Sequence, residues 1–143
     1  TKNRFRLARI SLSPARIEHH AKIPEGGMGL LLVKGKNSLF VPAFYSRRLY
    51  EFDADTLEVK RVLKGALNSR NVVYDPARNV LFTTGFLSGT LAAIDYDTGK
   101  IIRKIRIGKR SNALLMDVKK DVLYVGCSWG VLKVNPGAFV GGD

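Results

Sequence analysis

The chain is poor in the residues that staple, anchor or catalyse. Its 143 residues include one cysteine, Cys127. A disulfide framework and a thiolate cage for zinc each need several thiols, so both are excluded. The two histidines, His19 and His20, are adjacent. Neighbours in an extended strand point to opposite faces, so they cannot grip one ion from one side. No apolar run approaches the roughly 18 residues of a membrane-spanning helix; Leu30-Leu31-Leu32-Val33 comes nearest. The start, Thr1-Lys2-Asn3-Arg4, carries no signal-peptide core. These features predict a soluble chain, and the missing initiator Met suggests a processed product or a piece of a longer polypeptide. Acidic residues are scarce, 12 against 24 Lys+Arg, for a net charge of +12. Such a balance steers acidic partners inward and repels basic ones. Helix signals are nearly absent: no stretch carries apolar residues at i, i+3, i+4 and i+7 behind an N-cap.

What the chain does have is a repeat. Leu39, Leu81 and Leu123 lie 42 residues apart, and Phe40, Phe82 and Tyr124 keep step with them. So do Leu31, Val73 and Leu115. Arg48-Leu49-Tyr50-Glu51-Phe52-Asp53 matches Thr90-Leu91-Ala92-Ala93-Ile94-Asp95, and Arg6-Leu7-Ala8-Arg9-Ile10 stands one period earlier. A period near 40 to 45 with alternating apolar residues is the signature of a four-stranded β-propeller blade. Asp75-Pro76-Ala77-Arg78-Asn79, Ser88-Gly89 and Asp97-Thr98-Gly99 supply the turns between the strands.

The pattern predicts an all-β chain of antiparallel blades, with strands named a to d from the inside outward. A part-blade over 6–23 supplies strands c and d, complete blades span 29–63 and 71–107, and a part-blade spans 113–135. That makes about three and a quarter blades, where closed propellers use about four to eight. Leu31, Leu39, Val73, Leu81, Leu115 and Leu123 are expected to be buried on inner strands, and residues 57–62 to form one outer strand. The unpaired ends need cover. Remaining propeller blades would provide it, as would a second copy joined head to tail, with strands a and b from one chain and c and d from the other.

The stretch Val80-Leu81-Phe82-Thr83-Thr84-Gly85, then Leu91-Ala92-Ala93-Ile94-Asp95-Tyr96-Asp97-Thr98-Gly99-Lys100, then Ile105-Arg106-Ile107-Gly108 and Val122-Leu123-Tyr124-Val125-Gly126, resembles the YVTN type of propeller repeat. In that family a YVTN strand precedes a V-x-V-I-D-x-x-T strand and a V-G-x-x-P connector. The likeness covers most of residues 6–135. It departs at the connector, where Ser111-Asn112 follow Lys109-Arg110 with no Pro, and in the third unit, which is two residues shorter between Tyr124 and Asn135. The resemblance implies a periplasmic or cell-envelope setting. It also allows an enzymatic alternative, a fragment of a lactonase-like or quinoprotein-dehydrogenase-like propeller whose active site lies mostly in other blades.

The motifs that suggest chemistry fail on context. Gly126-Cys127-Ser128-Trp129-Gly130 fits a nucleophile elbow, but that motif needs a strand-to-helix turn. Strand runs flank this one. Asp95-Tyr96-Asp97-Thr98-Gly99 and Asp53-Ala54-Asp55-Thr56 could begin calcium loops, yet position twelve holds Arg106 or Lys64 in place of Glu. They read instead as turns whose side chains bond their own backbone. Gly108-Lys109-Arg110-Ser111 lacks the remainder of a phosphate loop. No catalytic group, metal or cofactor is expected.

One arrangement does add up. Connectors from d to the next a, and hairpins from b to c, open on the same propeller face. That face gathers Arg47, Arg48, Lys64, Arg70, Lys109 and Arg110 against Glu25, together with Phe44, Tyr45, Phe86 and Trp129. Arg with aromatics is what anchors interfaces. For Phe44, Phe86 and Trp129 packing between blades is an equal alternative. The expected function is a non-catalytic binding or scaffold module that holds an acidic partner, with protein favoured. Nucleic acid suits the charge but finds no matching fold signature.

Overall fold

Apolar residues at period two give each short run one face to bury, and Asp, Asn and Gly close the turns between runs. A computed structural model describes residues 5–141. β1 (Phe5–Leu12) and β2 (Ala15–Ile23) form an antiparallel pair. β3 (Leu31–Val33), β4 (Ser38–Pro42), β5 (Arg48–Asp53) and β6 (Val59–Lys64) follow as a four-stranded meander. β7 (Ser69–Asp75), β8 (Val80–Gly85), β9 (Thr90–Asp95) and β10 (Ile101–Arg106) repeat it. β11 (Ala113–Asp117), β12 (Val122–Cys127) and β13 (Gly130–Val134) make a three-stranded sheet, and the short helix α1 (Pro136–Gly141) ends the described chain. The fold is all-β with blade-like sheets, and they do not close into a ring.

Three apolar cores lie between successive sheets. Leu7 and Ile23 pack with Val41, Tyr50, Phe52 and Leu57. Val33, Phe40, Leu49 and Leu63 pack with Val72, Leu81, Ile94 and Tyr96. Val80, Phe82, Leu91, Ala93 and Ile107 pack with Leu123, Val125 and Phe139. Strand alternation explains the division: β8 sends Leu81 to one core and Val80 and Phe82 to the next.

Register alone does not decide burial. Leu81 and Leu123 are fully buried, but Leu31, Leu39 and Val73 are only partly so, and Leu115 is 61% exposed. Leu115 corrects the expectation. It faces away from the preceding sheet, and no further sheet lies against that side among the described residues. Tyr124 and Val131 share this outward face, at the positions that Phe82 and Leu91 occupy in the sheet before.

The turn from c to d recurs in all three units. Asp53 Oδ1 accepts the amides of Asp55 and Thr56 at 2.9 Å, Asp95 Oδ1 accepts Thr98 N at 2.7 Å, and Asn135 Oδ1 accepts Ala138 N at 3.0 Å. Leu57, expected to start a strand, lies in this turn with φ 59°, and β6 begins at Val59. A side chain at positive φ is strained, and burial of Leu57 in the first core offsets it. The equivalent residue one unit on is Gly99, φ 69°, where a Cβ would meet Leu63 Cδ2 at 2.6 Å. In the third unit Phe139 follows the turn, and the chain coils into α1 rather than a fourth strand.

A composite blade of β11–β12 from one copy and β1–β2 from another requires an empty c position. β13 fills it, pairing with β12 from Leu123↔Val134 to Cys127↔Gly130.

Candidate interaction face

The connectors and b–c hairpins are tied together by hydrogen bonds to hairpin carbonyls that recur with the repeat, from a side chain in one unit and from the backbone in the next. Asn68 Nδ2 donates to Phe44 O at 3.0 Å, and one unit later Arg110 N donates to Phe86 O at 2.6 Å. Asn68 and Arg110 both hold left-handed conformations, φ 57° and 56°. At Gly108, φ 95°, a Cβ would sit 2.9 Å from the Trp129 indole, so only glycine lets the connector pass under that ring.

On this scaffold the expected residues sort into two groups. Arg70 belongs to the interior side. Its guanidinium lies 3.8 Å from the Phe86 centroid and 5.1 Å from that of Phe44, the two rings are 6.2 Å apart, and Nη1 donates to Asn112 Oδ1 at 3.2 Å. Phe44 and Phe86 are therefore half-buried packing between blades. Arg48 is exposed but paired, with Nη1 2.6 Å from Glu25 Oε1. A hydrogen bond to the Tyr50 side chain and the charge of Glu25 raise its pKa further.

Arg47, Lys64, Lys109 and Arg110 are exposed, and none has a side-chain hydrogen bond or ion pair among the described residues. Tyr45 and Trp129 also face solvent. The sequence reading overlooked Leu87, which stands 42 residues from each of them. Tyr45, Leu87 and Trp129 are 72%, 53% and 63% exposed, so successive hairpins each present one large apolar side chain. The repeat spacing itself was the signal for Leu87.

The opposite face holds turn-capping carboxylates. Asp75 Oδ1 accepts Ala77 N at 3.0 Å and Asp117 Oδ1 accepts Lys120 N at 3.0 Å. Backbone amides, with the Thr56 and Thr98 hydroxyls, hold the Asp53 and Asp95 carboxyls below their usual range. Arg78 spans two sheets, with Asp75 at 2.8 Å on one side and Asp121 at 2.6 Å on the other, which lowers the Asp121 pKa. No group of three or more potential metal ligands occurs among the described residues. Residues 126–130 sit in the β12–β13 hairpin, and the Cys127 thiol donates to Ile107 O at 2.9 Å.

Sequence reasoning also missed a polar cluster inside the second core. Glu51 is buried. Its carboxylate accepts Ser38 Oγ at 2.5 Å and Tyr96 Oη at 3.1 Å, and pairs with Arg61. Burial pushes its pKa up, but the bonds from Ser38 and Arg61, the Arg61 charge and the Tyr96 hydroxyl together bring it below the usual value. Arg61 also donates to Tyr96 O at 2.5 Å, so the cluster bolts the second sheet to the third. Ala93 occupies the Glu51 position one unit on, so the repeat gave no signal for it.

No protein-family model matches the chain, and no curated protein sequence does. Solved structures do. A chain of Kuenenia stuttgartiensis hydrazine synthase superposes with a TM-score of 0.73 at 16% identity over 80% of this chain and 34% of that one. A chain of the mitotic checkpoint complex superposes with a TM-score of 0.67 at 14% identity over 82% of this chain and 41% of that one. Both neighbours are β-propeller-type folds, and that is the class to which this fold corresponds. The chain spans about a third of the first and two fifths of the second.

Proposed function

We propose that the chain is a non-catalytic binding or scaffold module of a β-propeller, and that its face of connectors and hairpins holds an acidic protein surface. The observation that carries this reading is the exposed row Tyr45, Leu87 and Trp129, flanked by Arg47, Lys64, Lys109 and Arg110. Rigid aromatic and apolar anchors supply contact area, while the unpaired cations select an acidic counterpart and speed its approach. Arg70 and Arg48 shape the face through Phe86, Phe44 and Glu25. Further blades are a different class of partner, met at the sheet ends.

The test measures fluorescence anisotropy of a labelled acidic, aromatic-containing peptide. Affinity is expected to fall steeply as salt rises, because exposed charges are screened over about 8 to 10 Å. The combined substitutions Arg47→Glu, Lys64→Glu, Lys109→Glu and Arg110→Glu should abolish binding. Unchanged affinity in that variant, with its circular dichroism intact, overturns the reading. Tighter binding of a single-stranded oligonucleotide than of the peptide would replace protein with nucleic acid as the partner.

A further inference from the structure

We propose that the Arg70 guanidinium, with Asn71, Thr84 and Ser111, forms a site for a single carboxylate group at the connector end of the boundary between the β7–β10 and β11–β13 sheets. The reading above gives Arg70 only the role of shaping the face, and this site stands whether or not the exposed cations hold a protein.

Other arginines that cross a sheet boundary meet carboxylates of the chain: Arg61 pairs with Glu51, and Arg78 with Asp75 and Asp121. Arg70 is half-buried, and among the described residues it pairs with no carboxylate. Its side-chain hydrogen bond runs from Nη1 to Asn112 Oδ1, and its buried Nε has no partner. Packing over the Phe86 ring satisfies none of its N–H groups. The Nε and Nη2 edge thus left over is one that bonds a carboxylate through two parallel hydrogen bonds.

Neutral donors stand at the same boundary. Asn71 and Thr84 are ladder partners two residues beyond the pair Val73 and Phe82, which enters the third core, so they share its face. Ser111 lies in the connector that closes this boundary, where Arg110 N donates to Phe86 O at 2.6 Å and Asn112 N to Gly126 O at 3.1 Å. Thr84 and Ser111 are fully buried. Among the described residues Asn71 Nδ2, Thr84 Oγ1 and Ser111 Oγ have no partner either. Exposed Asn112, bonded to Arg70, gives the site a solvent-facing side.

The boundary one unit earlier is built differently. Gly29, Pro42 and Ser69 hold the places of Asn71, Thr84 and Ser111. A Cβ on Gly29 would meet Arg70 O at 2.3 Å, so backbone packing fills that place, and Ser69 Oγ donates to Asn71 O at 3.2 Å. The polar side chains are therefore no requirement of the repeat. Buried donors left unpaired are costly, and one acceptor that meets several of them removes that cost. Arg70 supplies one formal positive charge and the other donors none, so a monoanion balances the site. A dianion such as sulfate would leave one buried charge without a counterpart.

The test is nuclear magnetic resonance of the isotope-labelled full chain, titrated with sodium acetate at an ionic strength held constant with sodium chloride. The Arg70 Nε–H and Asn71 side-chain amide signals should shift saturably. Acetamide, of the same shape without the charge, should bind at least about tenfold more weakly, and sulfate should leave these signals in place. Thr84→Val with Ser111→Ala, which removes two hydroxyls at little change in volume, should weaken acetate binding by about tenfold or more with unchanged circular dichroism. The acetamide comparison needs no variant. Unmoved Arg70 and Asn71 signals, shifts confined to Lys109 and Arg110, equal binding of acetamide, or undiminished binding to the doubly substituted chain would each overturn the proposal.

Discussion

The Arg70 guanidinium lies 3.8 Å from the centre of the Phe86 ring and 5.1 Å from that of Phe44, so a cation from one blade meets aromatics of two hairpins. Such contacts contribute about 0.5 to 2 kcal/mol, most when desolvated. We expect Arg70→Ala to lower stability by about 1 to 2 kcal/mol and Arg70→Lys by less, whereas Arg47→Ala should stay within about 0.5 kcal/mol. Urea denaturation distinguishes the three; equal, negligible effects would mean that Arg70 lies free on the surface.

Leu81 and Leu115 both hold the sequence register but differ in surroundings. Truncating fully buried Leu81 to Ala should cost about 2 to 5 kcal/mol through lost transfer energy and a residual cavity. Leu115→Ala, at 61% exposure, should cost less than about 0.5 kcal/mol. A large loss at Leu115 would show that another sheet covers it in solution.

Leu57 and Gly99 occupy the same turn position with opposite requirements. Leu57→Gly relieves a left-handed strain of about 1 to 2 kcal/mol but removes a buried leucine worth about 2 to 5, so net destabilisation of about 1 to 3 kcal/mol is expected. Gly99→Ala should destabilise as well, since its Cβ would strike Leu63. Thermal melts of both variants check the signs; a stabilised Leu57→Gly protein would mean that the strain outweighs the packing.

Four carboxylates should govern the acid limb of stability. Glu51, Asp53, Asp95 and Asp121 all have lowered pKa values in the folded chain, so the unfolded chain binds more protons in that range. Their contribution is complete above the ordinary values of 4.5 and 3.8 and is lost as pH falls below these through the folded values. The urea midpoint should therefore fall on acidification through this window. Asp121→Asn should flatten the dependence, and a parent-like slope in that variant would remove the Arg78–Asp121 pair from the account.

The repeat made the sheets legible because a blade is a local unit: Leu39, Leu81 and Leu123 mark successive strands, and Asp95 with Thr98 marks the turn between c and d. Burial was less legible, because it belongs to the interface between units. Leu115 and Leu30 keep the pattern of their counterparts and lack only a neighbour. Glu51, polar between Tyr50 and Phe52, keeps the alternation of β5; Arg61 faces it from β6 in the same sheet, and Tyr96 reaches it across a sheet boundary that spacing cannot reveal. Arg70 read as a surface cation for the same reason, since the two rings it packs on come from different hairpins.

The three cores share no side chain, yet the strands between them serve as common walls. β8 presents Leu81 to one compartment and Phe82 to the next, so damage spreads by nearest-neighbour coupling and weakens with each wall it crosses. A lesion at Phe82 should loosen β11–β13 and α1 while leaving β1–β2 with its native exchange rates. The molecule is thus expected to open like a row of doors, one compartment at a time, rather than in a single all-or-none step.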